Sequence, residues 1–374
     1  MLINAFKFLI YDKAKSIGAL FGVIISIFLI GQQCGIFIFL TNAMCALARN
    51  NPQYIWVTDN TTENVNALAQ LDMRTGNELF SVPGIQHVYP LVVATGAAKF
   101  ANGTTAGVAV IGSQAPAFAG GPWNLTKGNK EMLLEDGAVT SDFFDRKALG
   151  GADIGTYFEI NGKQAHIVAQ TRGVRAFGGG LYMFTTLERA RYFSNFSPYK
   201  ASAFLITLAP GANEDDIIAT INGHFNGVRA WKASDLATAS IITVLKSSGI
   251  AISIGTLLFF ALIVGFVIIG LTLYSAAIDR IRDYGTLKAI GANNGYIRKL
   301  IVTQALIVSA IGFIIAMALV EGFRNGIANA GTLFNYPLWL RGTFLFITVF
   351  IAVAGSMFAI RRITKLEPAA VFRG

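Results

Sequence analysis

Four long apolar stretches constrain this chain more than any other feature. They run over residues 17–41, 249–278, 300–320 and 342–360. A helix needs about 20 predominantly apolar residues to cross the hydrocarbon of a bilayer. Buried core helices are usually shorter and keep a polar face, so all four read as transmembrane helices. The composition agrees. Apolar residues make up 53% of the chain and charged residues only 14%, against about 25% in soluble domains. This excludes a soluble globular protein and a disordered one. Two Cys are too few for a disulfide scaffold.

The first stretch competes with a signal peptide, because Lys7, Lys13 and Lys15 precede it and Ala46-Leu47-Ala48 follows it. A signal h-region is about 7–15 residues long, so this longer run is expected to remain as a span. Ahead of it, Leu2, Phe6, Leu9 and Ile10 share one side of residues 1–16, with Lys7, Asp12, Lys13 and Lys15 elsewhere. That pattern predicts a cytoplasmic helix lying in the headgroup layer.

Charge sets the expected topology. The short segments 1–16, 279–299 and 361–374 hold 12 Lys+Arg against 4 Asp+Glu, whereas residues 42–244 hold 15 against 16. The net charge of +9 therefore resides almost wholly in the short segments. Lys and Arg in short loops stay on the cytoplasmic side. Both termini and the 279–299 loop are expected in the cytoplasm. Residues 42–248 and the 321–341 loop are expected outside. The same rule accounts for the basic balance, so no nucleic-acid partner is inferred.

Residues 42–248 have the size of an independent domain. Tyr54–Val57, Val88–Val93 and Ala203–Leu208 read as strands. Tyr157–Ile160 and Ala165–Val168 flank Asn161-Gly162, the sequence of a tight primed hairpin turn. Asn213 followed by Glu214-Asp215-Asp216 reads as a capped helix start, with Ile217, Ile218 and Ile221 inward. Thr185 or Thr186 begins another helix through Arg191, and 115–122 reads as a loop. The predicted fold class is four transmembrane α-helices plus a large α+β extracytoplasmic domain.

Catalytic signals are poor. His87, His166 and His224 are widely spaced, and none sits in a metal-ligand motif. Cys34 and Cys45 are eleven residues apart on one helix, too far to bond to each other. Glu135-Asp136 and the acids of 142–145 read as a solvated face. Arg172 and Arg175 beside Gly178-Gly179-Gly180 suit either an anion site or a plain loop after a strand, and the loop is preferred. Gly18-x-x-x-Gly22 and Gly31-x-x-x-Gly35 in the first span make Gly18, Gly22, Gly31 and Gly35 candidates for a dimer contact, since small residues let helices approach closely in lipid. Gln32 and Gln33 beside them are costly there without a partner, and are candidates for cargo contact.

The most informative segment follows the second span: Asp279, Arg280, Ile281, Arg282, Asp283, Tyr284, Gly285, Thr286, Leu287, Lys288, Ala289, Ile290, Gly291, Ala292. Leu287, Ile290 and Ile297 fall roughly on one helical side, with small Ala289, Gly291 and Ala292 beside them. Such a helix suits docking into a groove on a cytosolic partner. The run resembles the coupling motif of FtsX-like permeases of the macrolide-exporter type of ABC transporter. Asp283 and Tyr284 stand where that motif has Glu and Ile. Arg361-Arg362 through Leu366-Glu367-Pro368-Ala369 is similar to the family's ending, and the order of one span, a large external domain and three spans also matches. Tyr157–Ile160, Asn161-Gly162 and the stretch from Thr171-Arg172-Gly173 to Phe184-Thr185 resemble the branch of heterocyst glycolipid and haem exporters.

The resemblance implies a permease subunit that works as a homodimer with a separate cytosolic ABC ATPase. It implies that motion of the coupling segment, 279–297, passes through the second span to the external domain, which expels a hydrophobic or amphipathic cargo. It also allows a periplasmic adaptor and an outer-membrane channel as partners. The alternative within the family is a regulatory subunit that controls an extracytoplasmic partner. No Gly-x-x-x-x-Gly-Lys-(Ser/Thr) occurs in the sequence, so ATP and Mg are expected on the partner ATPase. No cofactor is expected in this chain, and no enzyme activity of its own.

Overall fold

The protein is described by a computed structural model over residues 13–279 and 281–364. The helix expected over 1–16 and the 361–374 tail therefore lie largely outside the described residues, as does Arg280. The chain divides into two units, one of them Phe39–Gly249 with Asn329–Thr332.

That unit is an α+β structure. Its strands are β1 (Ile55–Asp59), β2 (Leu71–Asp72), β3 (Ile85–Phe100), β4 (Thr105–Ser113), β5 (Leu125–Lys127), β6 (Ala138–Asp142), β7 (Tyr157–Ile160), β8 (Lys163–Thr171), β9 (Leu181–Thr186), β10 (Lys200–Ala201), β11 (Ala203–Leu208) and β12 (Val228–Lys232). Its helices of eight residues or more are α1 (Met73–Phe80), α2 (Leu187–Ser194), α3 (Glu214–His224) and α4 (Ala233–Ser248). Ten strands form one mixed sheet in the order β12-β1-β11-β3-β7-β8-β5, with β4 joining β3 to β9 and β6 pairing with β8. The pairs β4·β9 and β6·β8 are parallel.

β3 organises the unit. It runs for 16 residues, where the apolar pattern marked only 88–93. Successive parts of it pair with β11, β4 and β7. It also enters three cores. Leu91 packs with Trp56, Phe184 and Leu205. Val92, Ala98 and Phe100 pack with Met183 and Phe193, and Ile85 and Val88 pack against Phe204, Ile217 and Ile221.

Local signals explain the connections. Asn161 and Gly162 take φ of 50° and 76°, which makes the primed turn that Asn-Gly favours. The Asn161 side chain also ties the hairpin down, accepting from Ala97 N at 2.9 Å and donating to Phe193 O at 3.0 Å. Asn213 caps α3 by accepting from Asp215 N at 3.1 Å. Ile217 and Ile221 are buried, while Ile218 is only half-buried. α2 starts after Thr186, whose side chain makes no capping bond, and ends at left-handed Asn195.

Among the described residues, four helices are long and apolar enough to span a membrane, and they make up most of the other unit: Lys13–Met44, Ile250–Asp279, Asn294–Ala328 and Leu338–Thr364. The first, third and fourth are longer than their apolar stretches, and the second, at 30 residues, equals its own. The 321–341 loop is mostly helical, because its charges neutralise one another. Glu321 pairs with Arg324 at 3.1 Å and with Arg341 at 2.7 Å. The 279–299 loop is likewise split, since a short helix, α5 (Ile281–Ala289), is followed by the third span from Asn294. Phe259, Leu271, Phe346 and Phe350 point outward and are well exposed, as lipid-facing side chains do.

The glycine stripe of the first span is occupied within the chain. A Cβ on Gly22 would lie 2.6 Å from Ile268 Cγ2, and one on Gly31 2.6 Å from Val320 Cγ2. On Gly35 it would lie 2.5 Å from the Phe334 ring and Tyr336 Oη, and on Gly18 3.3 Å from Thr272. Tyr336 Oη donates to Gly31 O at 2.8 Å. The missing side chains of these four glycines admit residues of the second and third spans and of the segment before the fourth. Gln32 and Gln33, next to this contact, are half-buried. Gly31→Leu is expected to cost about 1–3 kcal/mol through overpacking. It should lower the melting temperature of the detergent-solubilised chain whatever its oligomeric mass, and an unchanged melt would refute this use of the stripe.

Candidate coupling site

α5 follows directly on the second span and sorts the coupling segment into two faces. Tyr284 is 2% exposed and Gly285 is also buried. Lys288 Nζ donates to Ile363 O at 3.2 Å and Thr364 O at 3.0 Å. These carbonyls lie at the end of the described part of the fourth-span helix. Tyr284 and Lys288 therefore anchor α5. Leu287 is half-buried beside them.

Among the described residues, the opposite face makes no such contacts. Arg282, Asp283, Thr286, Ala289 and Ile290 are exposed. Arg282, Thr286 and Ala289 recur at spacings that share a helical face, and Ile290 is 80% exposed beside them. The helix closes on Gly291, at φ +103°. Gly291 N donates to Lys288 O at 3.0 Å and Ala292 N to Leu287 O at 2.9 Å, the pattern of a Schellman end. Asn293 then starts the third-span helix, its Oδ1 accepting from Tyr296 N at 2.8 Å. Ile297 is fully buried, which removes it from the docking side it was expected to share with Ile290. Asp279, at the end of the second span, is exposed. Gly291→Val should cost about 1–2 kcal/mol from the left-handed backbone alone, read as a lower melting temperature, since no atom crowds the position.

A second constellation lies in the α+β unit, where the acids of 142–145 are not a solvated face. Asp142 is 1% exposed and Asp145 2%. Asp142 accepts from Phe144 N at 3.0 Å, Thr171 Oγ1 at 3.0 Å and Val174 N at 2.8 Å. It thus fixes the loop after β8 by satisfying backbone donors that burial would otherwise leave orphaned. Asp145 meets Arg175 at 3.2 Å, but its Oδ2 is buried without a partner. Burial pushes its carboxyl up to about 7, against the pull of Arg175, and nearby Asp142 adds to the rise.

The arginines of the 172–180 loop are already engaged. The Arg172 guanidinium stacks over Phe143 at 5.0 Å and Phe144 at 5.2 Å. Arg175 Nη2 donates to Ala330 O at 3.4 Å. Gly331, at φ +87°, sits so close that a Cβ would lie 2.6 Å from Phe144 Cβ and 2.7 Å from Arg175 Nη2. The loop is a clasp on residues 330–331, and this agrees with the loop reading over the anion site. Nothing in the sequence pairs positions 145, 175 and 330. Among the described residues, no group of three His, Cys, Asp or Glu is placed to hold a metal.

Residues 255–368 match the family model described as FtsX-like permease C-terminal. The match contains most of the second span and all of the third and fourth span helices and α5. No curated protein sequence matches the chain. Among solved structures, the chain is similar to the periplasmic region of MacB from Actinobacillus actinomycetemcomitans at 10% identity, covering 53% of this chain and 94% of that one, with a TM-score of 0.38. It is similar to the extracellular domain of the noncanonic ABC-type transporter YknZ from Gram-positive bacteria at 11% identity, covering 48% and 99%, with a TM-score of 0.35. A domain of a putative permease protein from Porphyromonas gingivalis matches at 10% identity over 49% and 91%, with a TM-score of 0.34.

Proposed function

From the FtsX-like permease C-terminal domain that residues 255–368 form, we propose that the chain is the membrane-spanning subunit of an ATP-driven ABC exporter. A separate ABC ATPase docks from the cytoplasm on the exposed face of α5, at Arg282, Thr286, Ala289 and Ile290. The α+β unit lies on the outer side of the inner membrane, in keeping with the basic short segments. ATP-driven movement of α5 travels along the second span and changes the α+β unit, which expels a hydrophobic or amphipathic cargo. Two copies of the chain work with two ATPase chains.

The observation that supports this most is the split of α5 into an anchored face and an exposed one. A helix held by a buried Tyr284 and by Lys288 on the fourth span's carbonyls moves with the membrane helices when its outer face is pushed. The test is site-directed crosslinking in native membranes from Ala289→Cys, with mass spectrometry of the captured chain. The expected captive is an ABC ATPase with a P-loop. Capture from this position of membrane lipid alone would overturn the docking.

A further inference from the structure

A second charged surface lies at the end of the α+β unit that leads into the membrane. α4 ends at Ser248, left-handed Gly249 follows, and the second span starts at Ile250. A groove of about 580 Å³ opens beside the last turns of α4, lined by Glu63, Arg229, Trp231, Ile242, Thr243 and Lys246 among others. Lys246 is four residues from Ile250, at most about 14 Å of extended chain. Under the membrane placement proposed above, chain connectivity keeps Lys246 within reach of the headgroup layer.

The groove is built for charge. The Arg229 guanidinium lies 3.7 Å from the centroid of the Trp231 ring. That ring is itself fixed, because its Nε1 donates to Thr58 Oγ1 at 3.2 Å and only 8% of the residue is exposed. Stacking holds the guanidinium plane and leaves its N–H edge for a planar or tetrahedral oxyanion. Glu63 Oε2 accepts from Thr243 Oγ1 at 3.4 Å. Among the described residues, Glu63, Arg229 and Lys246 form no ion pair with one another or with any other side chain. Two cations and one carboxylate thus face one groove unneutralised, beside Ile242, an apolar side chain 45% exposed.

We infer that this groove binds the phosphoethanolamine headgroup of a membrane lipid. The phosphate lies between Arg229 and Lys246, and the ammonium answers Glu63. The glycerol and the first methylenes cover Ile242 and the edge of Trp231. Both signs of charge in the groove are matched only by a zwitterion. A phosphoglycerol headgroup would leave Glu63 facing an anion, and a phosphocholine offers Glu63 no N–H to donate. The inference rests on the membrane placement in the proposed function and not on the ATPase docking.

The test reconstitutes the full chain in phosphatidylcholine nanodiscs doped equally with phosphatidylethanolamine and phosphatidylglycerol, and counts lipid retained on the protein by native mass spectrometry. Phosphatidylethanolamine should be retained in preference. Arg229→Gln and Lys246→Gln should each lower that retention by about tenfold, the scale of a lost charge-assisted contact. Glu63→Gln should reverse the preference toward phosphatidylglycerol. Ile242→Glu, which puts a carboxylate one helical turn from Lys246 in the same groove, should also reduce retention, and melting temperatures check that every variant is folded. Equal retention by the wild type and the Arg229→Gln variant, or wild-type preference for phosphatidylglycerol, would overturn the assignment. Displacement of the lipid by free inorganic phosphate at equal concentration would overturn it as well, by showing a phosphate site rather than a lipid one. Each variant still inserts into nanodiscs if the spans are read correctly, so a failed insertion would count against the membrane placement instead.

Discussion

Replacing Ile290 with Asp is expected to detach the ATPase from the membrane subunit while leaving the subunit folded. Ile290 is 80% exposed at the end of α5, so the change removes no internal packing. In the docked complex the side chain would be buried. Burying an Ile is worth about 1.5–3 kcal/mol, or about a 10- to 150-fold change in affinity, and a desolvated carboxylate in its place costs more. Co-purification of the ATPase should be lost, with the melting temperature of the subunit unchanged. Lys288→Ala is the informative contrast. It frees Ile363 O and Thr364 O, which loosens α5 from the fourth span without altering the outer face. The ATPase should still bind, but its ATP turnover should no longer respond to the permease. If Ile290→Asp kept full binding, or Lys288→Ala abolished it, the division of α5 into a docking face and an anchoring face would be wrong.

Asp145→Asn is expected to make the α+β unit more stable at alkaline pH and to flatten its pH dependence. The folded carboxyl titrates at about 7, against an ordinary Asp value near 3.9. Between about pH 4 and 7 the folded state thus binds the extra proton. Stability is fully present below that window and falls as pH rises through it. At about 1.4 kcal/mol per pH unit the difference amounts to about 4 kcal/mol at most. An amide keeps the shape and cannot ionise. Denaturation of the full chain followed by fluorescence of Trp56, Trp123 and Trp231 should therefore show wild type losing stability from pH 5 to pH 8. The variant should lose much less. Arg175 gives up its ion pair in the variant, but it is 31% exposed at the side chain and keeps Ala330 O. Parallel pH profiles for the two proteins would sink the assignment of Asp145 as the titrating group.

The sequence made some of this legible and hid the rest for physical reasons. Apolar runs identify the four spans because lipid demands them over a fixed length, but they end too early where charges pair, as at Glu321 and Arg341. Asn161-Gly162 and Asn213 are read correctly because turns and caps are decided within a few residues. The second half of β3 was missed because Gly96, Ala97 and Lys99 have weak strand preference. Nine register pairs with β4, from Leu91 to Lys99, hold that half in place. Asp142 looked solvated since composition does not reveal that Phe144 N and Val174 N converge on it. Lys288 looked like a docking charge because its partners lie 75 and 76 residues further on. The glycines of the first span announced close approach, but not which helix approaches.

β3 has a consequence for how the α+β unit fails. At 16 residues it extends about 50 Å, and its side chains enter three cores. Proteins usually open in cooperative pieces along lines where few contacts cross. β3 leaves no such seam, because any fracture between the cores would have to break it. The three cores that it joins are therefore expected to melt together. A pull at one end of the strand is resisted by the whole sheet, as by a beam with no joint.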